Sequence, residues 1–157
     1  MKEGVGHTTE FTIVKRNART KEVVDVENWK GNIGLNEGLN LLASLLCGGA
    51  GTAFDNANTY IGVGDSTTAA AATQTGLQAA TNKAYAAMEA TYPTYGTSQQ
   101  VVFNAIFGSA AANFAWNEFT IVNAATDAGT NLLRAVAAKG TKSSGEEWEV
   151  TVTVVFS

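Results

Sequence analysis

Glu147-Trp148-Glu149-Val150-Thr151-Val152-Thr153-Val154-Val155-Phe156 alternates large apolar with polar side chains, and this alternation decides the fold. Successive side chains of a strand point to opposite faces, so Trp148, Val150, Val152, Val154 and Phe156 project to one side. Glu147, Glu149, Thr151 and Thr153 project to the other. A stretch of this kind is a β-strand with one face in a core and one face in water. Val101-Val102-Phe103-Asn104-Ala105-Ile106-Phe107 is apolar on nearly both faces and reads as a central strand beside it.

Working outward, Phe11, Ile13 and Val14 begin a strand, Asn17-Ala18-Arg19-Thr20 turns, and Val23, Val24 and Val26 return, which makes a hairpin. Tyr60 to Asp65 reads as a short strand ending in a turn. Lys83 to Thr91 reads as a strand carrying Tyr85, Ala87 and Glu89 on one face, with a helix as the competing reading because of its alanines and Met88. In Phe114, Trp116, Phe119 and Ile121 the step of three breaks the alternation, and a bulge would restore it. The loop chemistry of residues 123–131 then precedes a strand from Leu132 to Ala138. About eight short strands at this spacing predict an all-β fold: an antiparallel β-sandwich, jelly-roll or tulip-like domain.

One segment changes period. Leu35, Leu39, Leu42, Leu45 and Leu46 share a helical stripe, so an amphipathic helix is expected at about residues 35–47, capped by Asn32 or Asn36 and stopped by Gly48-Gly49. With one helix among many strands, its expected place is a lid on an open end of the β-core. Gly38 within it costs about 1 kcal/mol relative to Ala, a cost that close approach of another backbone would explain.

The chain has 157 residues, which suits a single domain, divided here into a flexible arm over residues 1–9 and a sandwich over residues 10–157. Charged residues make up 15%, well below the roughly 25% of an average soluble domain. Ala, Thr, Asn and Gly fill the gap, and such a surface is covered by a partner with little ionic desolvation. The net charge of −4 argues against nucleic acid, and Lys15, Arg16, Arg19 and Lys21 read as a solvated turn. No apolar run of about 18 residues is present to span a bilayer, and the first residues lack a signal peptide's apolar core. Synthesis in a cytoplasm is the expectation. Cys47 is the single cysteine, so neither an internal disulfide nor a cysteine-based metal site forms, and its position after Leu45 and Leu46 predicts burial.

Catalytic chemistry finds little to work with. His7 is the sole histidine and falls in the arm, away from any nucleophile, so neither a triad nor a held general base is expected. Glu147 and Glu149 share a polar strand face, where they keep the strand soluble and discourage wrong pairing. Asp55, Asp65 and Asp127 lack the spacing of a calcium loop. Gly62-Val63-Gly64 lacks the further glycine of a dinucleotide fingerprint, and its glycines read as room for a tight turn or close strand crossing. The expectation is a non-enzyme with no cofactor and no metal.

Candidate partner contacts are His7, Thr8 and Thr9 in the arm, and Thr67, Thr68 and Leu77 in an Ala/Thr-rich surface loop from Ser66 to Thr81 anchored by Leu77. Tyr85, Tyr92 and Tyr95 join them as contact anchors, with a sugar-stacking platform as the alternative use. The only proline, Pro93, marks a turn between two of these tyrosines.

Gly38 to Leu46, Tyr60-Ile-Gly-Val-Gly-Asp-Ser-Thr-Thr-Ala to Ala69, Gln74 to Gln78, Phe119 to Asn123, Asn131 to Val136 and the Val/Thr strand follow one another in an order that resembles small virion structural proteins of tailed bacteriophages. The resemblance covers about residues 10–157, includes capsid decoration (cement) proteins and tail-associated proteins, and carries no catalytic residues. It implies a homo-oligomer, often a trimer, bound to the major capsid protein on the outer capsid surface. A tail or tail-fibre location stays open beside it, and a carbohydrate-binding module is the reading from another class.

Overall fold

A computed structural model describes residues 6–157. The elements are β1 (His7–Asn17), β2 (Val23–Lys30), β3 (Ile33–Gly34), α1 (Asn36–Leu46), β4 (Tyr60–Gly64), β5 (Lys83–Ala87), β6 (Thr94–Thr97), β7 (Gln100–Phe107), β8 (Glu118–Val122), β9 (Asn131–Val136) and β10 (Glu146–Phe156). They form two five-stranded sheets, ordered β2-β1-β10-β7-β6 and β3-β9-β8-β4-β5, and the residue pairings are antiparallel throughout. The fold is therefore an all-β sandwich with one short helix.

Alternation in β10 does what period two requires. Trp148, Val150, Val152 and Val154 are buried, while Glu147, Glu149, Thr151 and Thr153 stay partly exposed on the outer face. Phe11 and Ile13 from β1 and Phe103 and Ala105 from β7 extend this inner face. Ile61, Val63, Phe119, Ile121, Leu133 and Ala135 of the second sheet meet it. Trp116 joins the core through edge-on contacts with Phe107 and Trp148, and its indole N–H donates to the Ala112 carbonyl at 2.9 Å. That bond removes the cost of burying the ring's polar edge.

Several expectations change. His7, Thr8 and Thr9 are not an arm: they open β1 and pair with Phe156, Val155 and Val154. Gly6 exchanges backbone hydrogen bonds with Ser157, and the arm's other residues, 1–5, lie outside the described residues. No bulge carries Trp116 into a strand, because β8 starts at Glu118 and Trp116 sits in the irregular segment before it. Neither asparagine caps α1; Leu35 holds that position with no side-chain hydrogen bond. Cys47 is exposed rather than buried, since the helix has already ended. The short edge strands β3 and β6 raise the strand number to ten. Tyr92-Pro93 is a cis peptide in the turn before β6.

Gly38 is the one fully buried residue of α1. A Cβ there would overlap the backbone of Leu132 and the Asn131 carbonyl, so the helix rests on β9 at a distance that only glycine allows. Glu37 fixes the same junction by accepting from the Asn131 amide at 2.7 Å. Gly38→Ala gains about 1 kcal/mol of helix propensity but meets overpacking of about 1–3 kcal/mol. A net loss of stability in urea unfolding is expected; an unchanged or raised midpoint would show that the helix is not seated on β9.

Candidate interaction surface

Every residue of β8, and of β9 up to Ala135, is buried, although a two-layer sandwich covers only one face of each sheet. The covering of the other face is the segment from residue 65 to 82, which has neither helix nor strand. Beneath it Glu118 and Arg134 form an ion pair with no exposed side-chain surface. Glu118 Oε2 accepts from Arg134 Nε at 2.8 Å and from the Gln78 amide at 2.8 Å, and Oε1 accepts from the Ala79 amide at 2.7 Å. Arg134 Nη1 reaches Gln74 Oε1 at 3.0 Å. Asp127 holds the same segment by accepting from the Leu77 amide at 3.1 Å and from Lys83 Nζ at 2.8 Å. The missing side chain of Gly64 leaves the space that the Glu118 carboxylate fills.

These bonds decide the fate of the predicted contacts. Leu77 is 4% exposed, covered by its own chain, and so is unavailable to a partner. Thr67 and Thr68 remain exposed. Tyr85 lies half-buried on β5 beside Asp127, where burial first and then the aspartate push its phenol pKa upward. Tyr92 packs partly buried against the core, and Tyr95 stands 77% exposed on β6. Tyr85 belongs to one sheet and Tyr95 to the other, so the three tyrosines do not make one stacking platform. Thr9 is buried, Thr8 exposed, and His7 half-buried.

Two apolar areas that the sequence did not single out are uncovered. One is the edge strand β2, where Val23, Val24 and Val26 are 54%, 61% and 49% exposed. The other is the end of the sandwich beside α1. A cavity of about 130 Å³ opens there, walled by Leu42, Phe54, Tyr95, Phe103, Val154 and Phe156 among others. His7, Gly34, Leu39 and Leu132 extend it under the helix. Leu39 and Leu42 of the leucine stripe face this rim, and of the stripe only Leu35 is buried while Leu39 and Leu46 are exposed. Phe156 lies one residue past the last β7 pairing, at Val155, with its N–H donating to the Gln99 carbonyl at 2.9 Å.

Basic side chains are mostly taken up in ion pairs. Among the described residues, six of nine Lys and Arg side chains are in ion pairs: Lys15, Arg16, Lys21, Lys83, Arg134 and Lys139. The outer face of the first sheet carries Lys21–Glu147 at 2.7 Å and Arg16–Glu149 at 2.6 Å, with Asn104 also donating to Glu149 at 2.9 Å. Burial works to raise the Glu149 pKa, but the bonds from Asn104 and Arg16 outweigh it and hold the carboxyl below its usual range. Among the described residues, no group of three His, Cys, Asp or Glu side chains gathers as a metal site, and no helix is long and apolar enough to cross a membrane. Comparison with known protein families, with curated proteins and with solved structures finds no match to this chain.

Removing one partner of a buried pair leaves the other charge uncompensated, at about 3–5 kcal/mol. Glu118→Gln is therefore expected to lower the urea midpoint strongly and to speed hydrogen exchange at the Gln78 and Ala79 amides; protected amides would refute the pinning of residues 65–82. Glu149 has a depressed folded pKa, so its contribution is present above the unfolded carboxylate pKa and is lost as pH falls through the folded one. The stability gap between the wild type and Glu149→Gln should close on titration from pH 7 into the acid range, and a constant gap would contradict it.

Proposed function

We propose that the chain is a structural protein of a tailed-phage particle, bound to the outer capsid surface as a homo-oligomer, a trimer, that stabilises the shell. The observation that carries this reading is the pairing of a sandwich whose basic side chains are mostly taken up in ion pairs with uncovered aliphatic groups at a free strand edge. Val23, Val24 and Val26 hold surface that a partner can bury without stripping water from ions. The exposed end with Tyr95, Leu39, Leu46 and Phe156 supplies a second such area on the same molecule. Two separated contact areas suit a protein that bridges neighbours, since a second attachment at high effective concentration strengthens the first without new chemistry. The order of sequence segments resembling phage decoration proteins agrees with it.

Binding of the purified protein to emptied, expanded heads tests the reading, with a rise in their rupture temperature expected. Antibody label confined to the tail would move the protein there, and failure to bind particles would reject the virion role. Val24→Glu and Val26→Glu alter exposed side chains, so folding should change by no more than about 0.5 kcal/mol. Their joint effect on head binding should be roughly tenfold or more, which corresponds to 1.4 kcal/mol; unchanged binding would exclude the β2 edge as a contact.

A further inference from the structure

Lys142 is the one buried lysine of the described residues that is not in an ion pair. Its residue is 1% exposed, and its Nζ donates only to neutral oxygens: the Gly108 carbonyl at 2.7 Å, Asn113 Oδ1 at 3.0 Å and the Ser143 carbonyl at 3.4 Å. Burial pushes its pKa down, against the attraction of Glu146 and Glu147, which favours the uncharged amine. Asn113 is equally placed. Its Nδ2 donates to the Ser109 carbonyl at 2.9 Å, which turns the amide oxygen toward the lysine. The amide carbon lies one C=O bond, about 1.2 Å, from that oxygen.

The two segments are locked together by their backbones. Lys142 N–H donates to the Phe114 carbonyl at 3.1 Å, Trp116 N–H to Gly140 at 2.9 Å, and Ala115 bridges Thr141. The Ala112 carbonyl is held by the Trp116 indole, and Ala112 has φ of 56°, so the chain bends sharply just before Asn113. An amine and an amide held in such proximity behave as an intramolecular pair, for which the entropy of encounter has already been lost in folding.

We propose that Lys142 and Asn113 join in an isopeptide bond, a covalent staple between the segment before β8 and the turn before β10. Lys142 gives its ammonium proton to water, and the neutral Nζ attacks Cγ of Asn113. A Nζ–Cγ bond forms, the Cγ–Nδ2 bond breaks, and one amine proton passes to Nδ2, which leaves as ammonia. No oxidant or cofactor enters the balance. Asn113 is at the surface, so ammonia departs into water while the amine remains buried. Such a staple suits a protein that carries load, but it does not depend on the proposed virion role.

Intact mass of the denatured protein should be one ammonia lighter than the sequence requires. Trypsin should then yield the peptide Ala84–Arg134 joined to Gly140–Ser157, because a modified Lys142 resists cleavage. Asn113→Ala and Lys142→Arg should each restore the full mass, and the wild type should unfold at a higher temperature than Asn113→Ala. Full mass in aged wild-type protein, with free Gly140–Lys142 after trypsin, would overturn the bond. Loss of ammonia without the branched peptide would also overturn it, because it would place a succinimide at an asparagine instead.

Discussion

Burying a carboxylate and a guanidinium costs several kcal/mol for each ion unless every lone pair and proton is met. In this sandwich a segment with no regular structure meets most of that need, while Arg134 Nη2 has its 2.7 Å ion-pair approach to Glu118 and no hydrogen bond. Residues 65–82 would be costly to order, at about 1–2 kcal/mol of backbone entropy per residue, and Leu77 is the only large apolar side chain they bury. Glu118 supplies the remainder by accepting the Gln78 and Ala79 amides. The dependence runs both ways: without those amides the carboxylate would keep only Arg134, and without the carboxylate the segment would have buried N–H groups unmet. A small absence, the side chain of Gly64, makes room for the arrangement.

One consequence is that the two outer faces differ. The second sheet is roofed by its own chain, and the carboxylate of Glu118 on its outward face is met within the molecule. The first sheet has its outward Thr, Val and Glu side chains partly exposed, and its edge strand β2 is paired on one side only, to β1. An apolar edge strand is a pairing hazard that proteins normally blunt with charge, proline or bulges. Here a register shift at Lys15/Arg16 and the charges of Asp25, Glu27 and Lys30 supply such blunting, while Val23, Val24 and Val26 stay exposed beside them. The exposed valines are the apolar side chains that this edge leaves most open to water.

Strands with period-two patterns were legible because a single strand states its own inner face: β10, β7 and the β1–β2 hairpin lie where Trp148, Phe103 and Phe11 put them. The seating of α1 through Gly38 and the long loop anchored by Leu77 were legible for the same local reasons. His7 to Thr9 were not, since short polar residues take their structure from a partner, and that partner, residues 154–156, lies at the far end of the sequence. The leucine stripe names the apolar side of α1 but not how much of it finds cover. Glu118 and Arg134 did leave a signal, a charge inside each of two apolar runs, yet their meeting depends on the diagonal register of β8 and β9. The three tyrosines failed as a group because residues 88–93 carry the chain from one sheet to the other between Tyr85 and Tyr95.

The same register explains why the β2 edge can be used without loosening the fold. On the core-facing side of β2, Asp25 and Glu27 pair with Lys15, and Lys139 reaches Glu27 from the opposite segment at 3.2 Å. Lys139 also lies over the Trp29 ring at 4.1 Å, and Lys15 over Trp148 at 4.4 Å. These contacts hold the strand from behind, so a partner approaching Val24 and Val26 from the front breaks none of them. Valine has a single stiff side-chain torsion, and little rotamer freedom is lost when it is covered. An edge held rigid by ion pairs on one side and faced with valine on the other retains more of its apolar contact energy as affinity than a flexible, charged edge of the same area.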